Sequence, residues 1–322
     1  MDTRKVWYNY PMSFWDQFQT GFTCLAPMEG VTDIVFRQVV TKSGRPDIFF
    51  TEFTNVDSYV SEKGRDNALE RFRFLPEEQP IVAQIWGKTP EHFETTAKGL
   101  KKLGYQAVDI NMGCPDRHVV ANGGGSALIR TPELAQEIIR ATKKAGLPVS
   151  VKTRLGYTFP EEYKEWLPII LQEQPAALTV HLRTKKEMSK VDAHYELVPD
   201  IVRLRDEISP QTKLIINGDI AAPQDGQKFI QQGVDGIMIG RGVFQNPFCF
   251  EKKPQEHSRA ELIDLLKYHL NLHEQYKTMT YEPLKRFFKI YINNFPGAAS
   301  IRAKLMETHS VEEAHDIIDN IK

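Results

Sequence analysis

The sequence predicts an α/β protein: a (β/α)8 TIM barrel over residues 21–250, preceded by an irregular arm (1–20) and followed by a small all-α helical domain (251–322). Three observations carry this. Apolar, β-branched runs recur eight times in the first three-quarters of the chain. Helical segments with readable ends separate them. No strand pattern follows Ser258. Eight βα units in about 230 residues fit a closed barrel better than an open sheet.

In chain order the predicted strands are "TCLAPM" (23–28), "IFFTEF" (48–53), "IVAQIW" (81–86), "AVDINM" (107–112), "VSVKTR" (149–154), "ALTVHL" (177–182), "KLIING" (213–218) and "GIMIG" (236–240). They are mostly continuous apolar runs, as expected of strands covered on both faces. "TPEHFETTAKGLKKLG" and "TPELAQEIIRATKKAG" each start with Thr, place Pro at the first helical position and stop at Gly, which predicts helices. Beyond residue 250, "SRAELIDLLKYHLNLHEQY" and "SVEEAHDIIDNI" both open with a Ser-x-x-Glu capping box. About 65 residues of antiparallel helices are expected there.

The bulk composition excludes several classes. The chain has 322 residues, 41% hydrophobic and 26% charged, in the range of soluble globular proteins. No apolar run approaches a membrane span, and the N-terminus lacks the apolar core of a signal peptide. Cys24, Cys114 and Cys249 have no metal-type spacing, so neither a disulfide framework nor a metal site is expected. A reducing cytosol and a monomer are the expectation. Net charge is −1, so any affinity for nucleic acid must come from a local patch.

Chemistry in such a barrel gathers at the C-terminal ends of the strands. This sequence places Pro27, Met28 and Glu29 after the first, Gln84 in the third, and Asn111 and Cys114 after the fourth. Lys152 and Arg154 stand in the fifth, His181 and Arg183 at the sixth. Asn217, Gly218 and Asp219 follow the seventh, and Gly240, Arg241 and Gly242 the eighth. A single one of these could be a cap, a turn or a core residue. Free cysteines usually pack as small hydrophobes, but Cys114 lies on a loop with Gly113 and Pro115 and is followed by Gly123–Gly125. Lys152 sits inside an apolar run, where an unpaired charge is costly. A ring of such residues suggests a ligand with many polar edges across the mouth. In "MIGRG" the glycines let backbone N–H groups approach a phosphate and Arg241 adds charge. Together with a lysine that can face the anionic edge of a reduced flavin, and amides at Gln84 and Asn111 to match its ring, this points to flavin mononucleotide (FMN).

The motifs "LAPMEGVTD" (25–33), "DINMGCP" (109–115), "GGGSALI" (123–129), "VKTRLG" (151–156), "VHLRT" (180–184), "NGDI" (217–220) and "DGIMIGRG" (235–242) resemble, in order and spacing, the tRNA-dihydrouridine synthases. "LKRFFKIYINNFPGAASIRAKL" (284–305) is similar to that family's helical RNA-binding domain. The resemblance implies an enzyme that holds FMN, oxidises NADPH, passes hydride to C6 of a tRNA uridine and protonates C5. It implies Cys114 as the general acid; an ordinary thiol is mostly protonated at neutral pH. It implies flavin contacts at Pro27, Met28, Glu29, Gln84, Lys152, His181, Asn217, Gly218, Asp219, Gly240 and Arg241, and a glycine loop beside Cys114 that is free to move. Two departures stand out. The family's frequent lysine four residues after the cysteine is His118 here, and its "HGRT" is "HLRT".

RNA-facing candidates are Arg117, Arg154 and Arg183 at the mouth and Lys285, Arg286 and Lys289 in the tail. From Gln275 to Met306 six Lys/Arg face one acidic residue, with Phe287, Phe288, Tyr291 and Phe295 interleaved. These aromatics either stack on bases or belong to the core of an amphipathic helix. Two rival readings remain. A dihydropyrimidine- or dihydroorotate-type flavin dehydrogenase would act on a free pyrimidine and need no basic tail. A non-catalytic tRNA-binding module would need neither Cys114 nor Lys152.

Overall fold

A computed structural model describes residues 13–321. Its sheet holds nine parallel strands: β1 (Phe22–Leu25), β2 (Phe49–Phe50), β3 (Thr54–Asn55), β4 (Ile81–Trp86), β5 (Val108–Met112), β6 (Val149–Arg154), β7 (Ala177–His181), β8 (Lys213–Asn217) and β9 (Gly236–Ile239). They run in the order β1-β9-β8-β7-β6-β5-β4-β2, with β3 also on β4. A parallel bridge between Cys24 and Ile48 joins β1 to the start of β2 and closes the ring. The eight expected strands are present, with one correction. The second is broken into two two-residue pieces: between them Thr51 still bonds β4, its amide donating to the Val82 carbonyl (3.0 Å) and its hydroxyl accepting from Gln84 N (3.0 Å), while Glu52 is buried and the half-buried Phe53 reaches the mouth.

Side chains alternate, as the pleat requires. Leu25, Phe49, Ile81, Ala83, Ile85 and Ile110 face the surrounding helices. Cys24, Phe50, Val82, Ala107, Ala177, Ile215 and Met238 fill the lumen. Above that apolar layer the inward positions turn polar: Gln84, Asp109, Ser150, Lys152 and Thr179, then Asn111, Arg154, His181 and Asn217. The register pairs Asn111 with Lys152, Lys152 with Thr179, Arg154 with His181 and His181 with Asn217.

Of the expected arm, residues 1–12 lie outside the described residues. The rest is not irregular. Ser13 caps a short 3-10 helix (Phe14–Gln17), and its buried Phe14 and Trp15 pack on Phe22 and the apolar lumen layer, stoppering that end of the barrel.

The helix ends follow their local chemistry. Pro90–Lys102 and Pro132–Lys143 both begin at proline after threonine and run down just before glycines at positive φ, Gly104 and Gly146. Arg259–Tyr276 carries the expected capping box, with Glu261 N donating to Ser258 Oγ (3.3 Å) and Ser258 N to Glu261 Oε2 (2.7 Å). At Val311–Asp319 Ser310 caps the helix, but Glu313 reaches the amide of His309 instead of closing the box.

The C-terminal helices dock on the first helix of the barrel, Ile34–Ser43. Phe36 stacks on Phe287 (centroids 5.2 Å apart), and His269 packs against both. His269 Nδ1 pairs with the Tyr291 hydroxyl at 2.7 Å, and Thr278 Oγ1 donates to Asp33 Oδ2 at 2.5 Å. Phe287, Phe288 and Tyr291 are therefore core residues, not base-stacking ones. Among the described residues no helix is long and apolar enough to cross a membrane.

Candidate active site

The barrel mouth holds a cavity of about 540 Å³. Ten of the expected cofactor contacts line it: Pro27, Met28, Asn111, Lys152, His181, Asn217, Gly218, Asp219, Gly240 and Arg241. Cys114, Arg154 and Gly242 line it as well. They come from the ends of β1, β5, β6, β7, β8 and β9, so one opening collects residues more than 200 positions apart.

Cys114 is half-buried at the cavity edge. Asn111, at the end of β5, holds its loop: Asn111 Oδ1 accepts from Gly113 N (3.1 Å) and Cys114 N (2.9 Å). On the far side the Cys114 carbonyl accepts from Ser126 N (3.0 Å) and Ser126 Oγ (2.9 Å). The glycine run supplies the room. Gly125 is at φ +56°, and a Cβ there would stand 2.8 Å from the Cys114 carbonyl oxygen. Of the glycine run, Gly124 and Gly125 are buried and packed against Trp86 and Cys114, while Gly123 is half-buried. Burial first, and the charge of Asp116 after it, push the Cys114 thiol above its ordinary value.

The lining is cationic. Lys152 Nζ donates to Asn217 Oδ1 at 3.2 Å, and burial, with Arg154 adding to it, lowers its pKa to about 8. Burial and the surrounding cations hold His181 well below its ordinary value, so its imidazole is neutral, and its Nδ1 is buried without a partner among the described residues. Asp219 is clamped between Arg183 and Arg241. Gly242 lets the chain after β9 pass close to the loop after β8: a Cβ there would lie 2.5 Å from the Ala221 carbonyl. Backbone at Gly240–Gly242 and the exposed Arg241 thus line the same cavity as Lys152.

Five expected contacts sit differently. Glu29 turns outward to Arg71 (2.5 Å) and does not line the cavity. Gln84 lies under the floor, fully buried, between Asp109 and Asn111. Three of the RNA-facing cations are structural. Arg154 gives its guanidinium to the carbonyls of Gly113 (2.7 Å), Thr184 (3.0 Å) and Met188 (2.8 Å). Arg183 is buried against Asp219 and the Val191 carbonyl. Lys285 is 5% exposed and bonds Glu282 (2.8 Å) and the Met306 carbonyl (3.1 Å). Arg117, Arg286 and Lys289 are exposed. His118 is exposed too, near Trp86 and outside the cavity lining.

Sequence reasoning missed Asp109, Ser150, Phe53, Ser189 and Glu52. Asp109 had a signal: an acid in the middle of an apolar strand. Glu52 had the same signal in "IFFTEF". Burial raises Glu52 to about 7 despite Arg71 at 3.7 Å.

The barrel and its mouth define an enzyme of the (β/α)8 class, with one cavity at the strand ends that gathers a thiol, a lysine, a histidine and a glycine-arginine edge. The particular family follows from comparison with known proteins. The dihydrouridine synthase (Dus) family model matches residues 24–322. A probable tRNA-dihydrouridine synthase 2 of Bacillus subtilis (strain 168) is 54% identical over 314 residues, covering 96% of this chain and 97% of that protein. A probable tRNA-dihydrouridine synthase of Staphylococcus aureus (strain COL) is 50% identical over 314 residues, 96% of each chain. The chain belongs to the dihydrouridine synthase family. Among solved structures, histamine dehydrogenase from Rhizobium sp. 4-9 shares the barrel (TM-score 0.53, 14% identity, 79% of this chain and 48% of that one).

Proposed function

We propose that this enzyme is a tRNA-dihydrouridine synthase: it holds FMN at the barrel mouth, takes hydride from NADPH and saturates the C5–C6 bond of a tRNA uridine. One observation carries the reading. A protonated thiol, a half-buried lysine, a neutral histidine whose Nδ1 has no partner among the described residues, and a glycine-arginine edge share one cavity. The fit to FMN rests on that set. Gly240–Gly242 and Arg241 suit its phosphate, and the half-buried Lys152, bonded to the neutral Asn217, gains an ionic partner if an anionic ring edge stands beside it.

A bound flavin supplies the hydride chemistry. The chain supplies the rest. Lys152 places positive charge inside the cavity. His181, neutral, has a ring nitrogen free to hydrogen-bond. Cys114, kept protonated by its raised pKa, donates the proton to C5 as C6 receives hydride, and the thiolate is reprotonated from solvent. Asn111 and Ser126 hold its loop from two sides, so the donor is in place before substrate arrives.

The division of labour is also proposed: residues 21–250 carry the chemistry, and exposed cations on both segments carry the tRNA. Arg286 and Lys289 are the tail's contribution. At the mouth, Lys186 lies over the Phe159 ring (5.8 Å), a phenylalanine 61% exposed, while Lys185 and Arg130 lie over Tyr157. Cations beside an exposed ring and a half-buried one suit a phosphate chain with unstacked bases.

The test has two arms. Flavin released from purified protein is identified by chromatography, and NADPH-dependent saturation is measured with unmodified tRNA and with free uracil. FMN and turnover on tRNA alone are expected. Cys114→Ala should lower uridine reduction by about 10²–10⁴-fold while flavin reduction by NADPH persists. Protein that cannot be loaded with FMN, or a variant reducing tRNA at the parental rate, overturns the reading.

A further inference from the structure

We propose that Asp109 is a positioning residue: it fixes the orientation of the Cys114 loop by setting the donor–acceptor polarity of a buried chain of side-chain amides. The proposal deepens the functional reading above and rests on it for the role of Cys114.

Asp109 is fully buried on β5 and points into the polar layer of the lumen. It accepts from Ser150 Oγ and from Gln84 Nε2, each at 2.6 Å. Gln84 Oε1 in turn accepts from Asn111 Nδ2 at 2.9 Å. Asn111 Oδ1 then accepts from the amides of Gly113 and Cys114. Each amide side chain could face either way taken alone, since its two ends are nearly the same shape. The ends of the chain remove the choice. An ionised carboxylate only accepts, so Gln84 must turn its nitrogen toward Asp109. That leaves Gln84 an oxygen for Asn111, which must therefore present its nitrogen. Asn111 is left with an oxygen for the two backbone amides, which can only donate. Four residues on three strands agree on one polarity, and that polarity clamps Gly113 and Cys114.

An acid is a costly occupant of this position. A buried charge needs partners, and burial lifts Asp109 to about 6, offset by the bonds from Ser150 and Gln84 and by Lys152. An apolar residue would fill the lumen at lower cost, as Val82 and Ala107 do in the layer below. What the carboxylate adds is direction. In Asp109→Asn the new amide can offer Gln84 a donor, letting Gln84 turn over. Asn111 would then turn its nitrogen toward two backbone N–H groups and release the loop.

The test is a swap that restores polarity without restoring the sequence. In the double variant Asp109→Asn, Gln84→Glu, the introduced asparagine keeps an oxygen for Ser150 and donates to the introduced glutamate. That glutamate accepts from both neighbours, and Asn111 is again oriented toward Cys114. Net charge is unchanged. Two readouts are taken on flavin-loaded protein: kcat for tRNA reduction, and the rate at which iodoacetamide alkylates Cys114, followed by peptide mass spectrometry. D109N should lower kcat about 10- to 100-fold and alter Cys114 alkylation by a similar factor. The double variant should return both to within about threefold of the parent. D109N with parental values overturns the proposal. So does a double variant no better than D109N in activity, alkylation or folding. Absence of tRNA reduction in the parent would sink the functional reading instead, while the alkylation contrast still judges the orientation.

Discussion

The thiol at the mouth is where single residues decide most. Cys114 was legible in the sequence because proline and glycine frame it, which a core cysteine does not need. What the glycines do was not legible. Gly125 is at φ +56°, and a Cβ there would meet Val119 and the Cys114 carbonyl, so this position is a packing surface. Gly125→Ala should destabilise the protein by about 1–3 kcal/mol from the left-handed backbone alone. Displacing Cys114 should also lower uridine reduction. Thermal melting and tRNA turnover together check this; an alanine variant matching the parent in both would show that the loop can yield. The buried arginines teach the converse. Arg154 and Arg183 read as mouth cations, but each spends its guanidinium on backbone carbonyls or on Asp219. Sequence shows that a cation is present and not which carbonyls reach it.

At the scale of elements, strand existence was readable from apolar runs, and inward polarity was not. A strand buried on both faces has no alternation in its pattern, so Gln84, Asp109 and Ser150 are hidden among neighbours that point outward. The second strand shows a related failure. "IFFTEF" reads as one run, yet it breaks after Phe50, and Glu52 is carried into the seam between mouth and tail helices. There Gly30 N donates to Glu52, and Arg71 lies 3.7 Å away. Glu52 titrates at about 7 when folded, against an ordinary 4.5. The folded protein thus holds that proton more tightly than the unfolded chain. Its contribution to stability is full below pH 4.5 and is lost as pH rises through about 7, on the order of 3 kcal/mol. Glu52→Gln should melt like the parent near pH 4.5 and above it at about pH 8. Parallel melting curves across that range would refute the assignment.

Over the whole molecule, charge separates into a cationic cavity, a structural set of buried cations and an exposed set. The tail's six positive residues looked equivalent in sequence; only the packing of Phe287 and Phe288 shows that Lys285 turns inward while Arg286 and Lys289 face out. Reversing Lys186, Arg286 and Lys289 together should weaken tRNA binding and flatten its dependence on salt by roughly two to three counterions' worth of slope, without loss of bound flavin. Titrations of tRNA across a salt series check this, and an unchanged slope would place the RNA elsewhere. Reversing Lys285 should instead damage folding, because it removes the bonds to Glu282 and Met306.

The closure of the barrel has a consequence in time. β1 is among the first segments made, yet one of its edges pairs with Phe22 opposite Gly236 and Leu25 opposite Ile239. Nothing can occupy that edge natively until roughly 215 further residues have been synthesised, and contacts of such long separation are the slow ones. The cavity inherits this schedule, since its lining begins at Ala26 and ends at Gln245. A growing chain that has already made Cys114, Lys152 and His181 still has no pocket for them. Cys114, Lys152 and His181 stand on or just after the neighbouring strands β5, β6 and β7, but the lining that encloses them is complete only once the last strand pairs with the first.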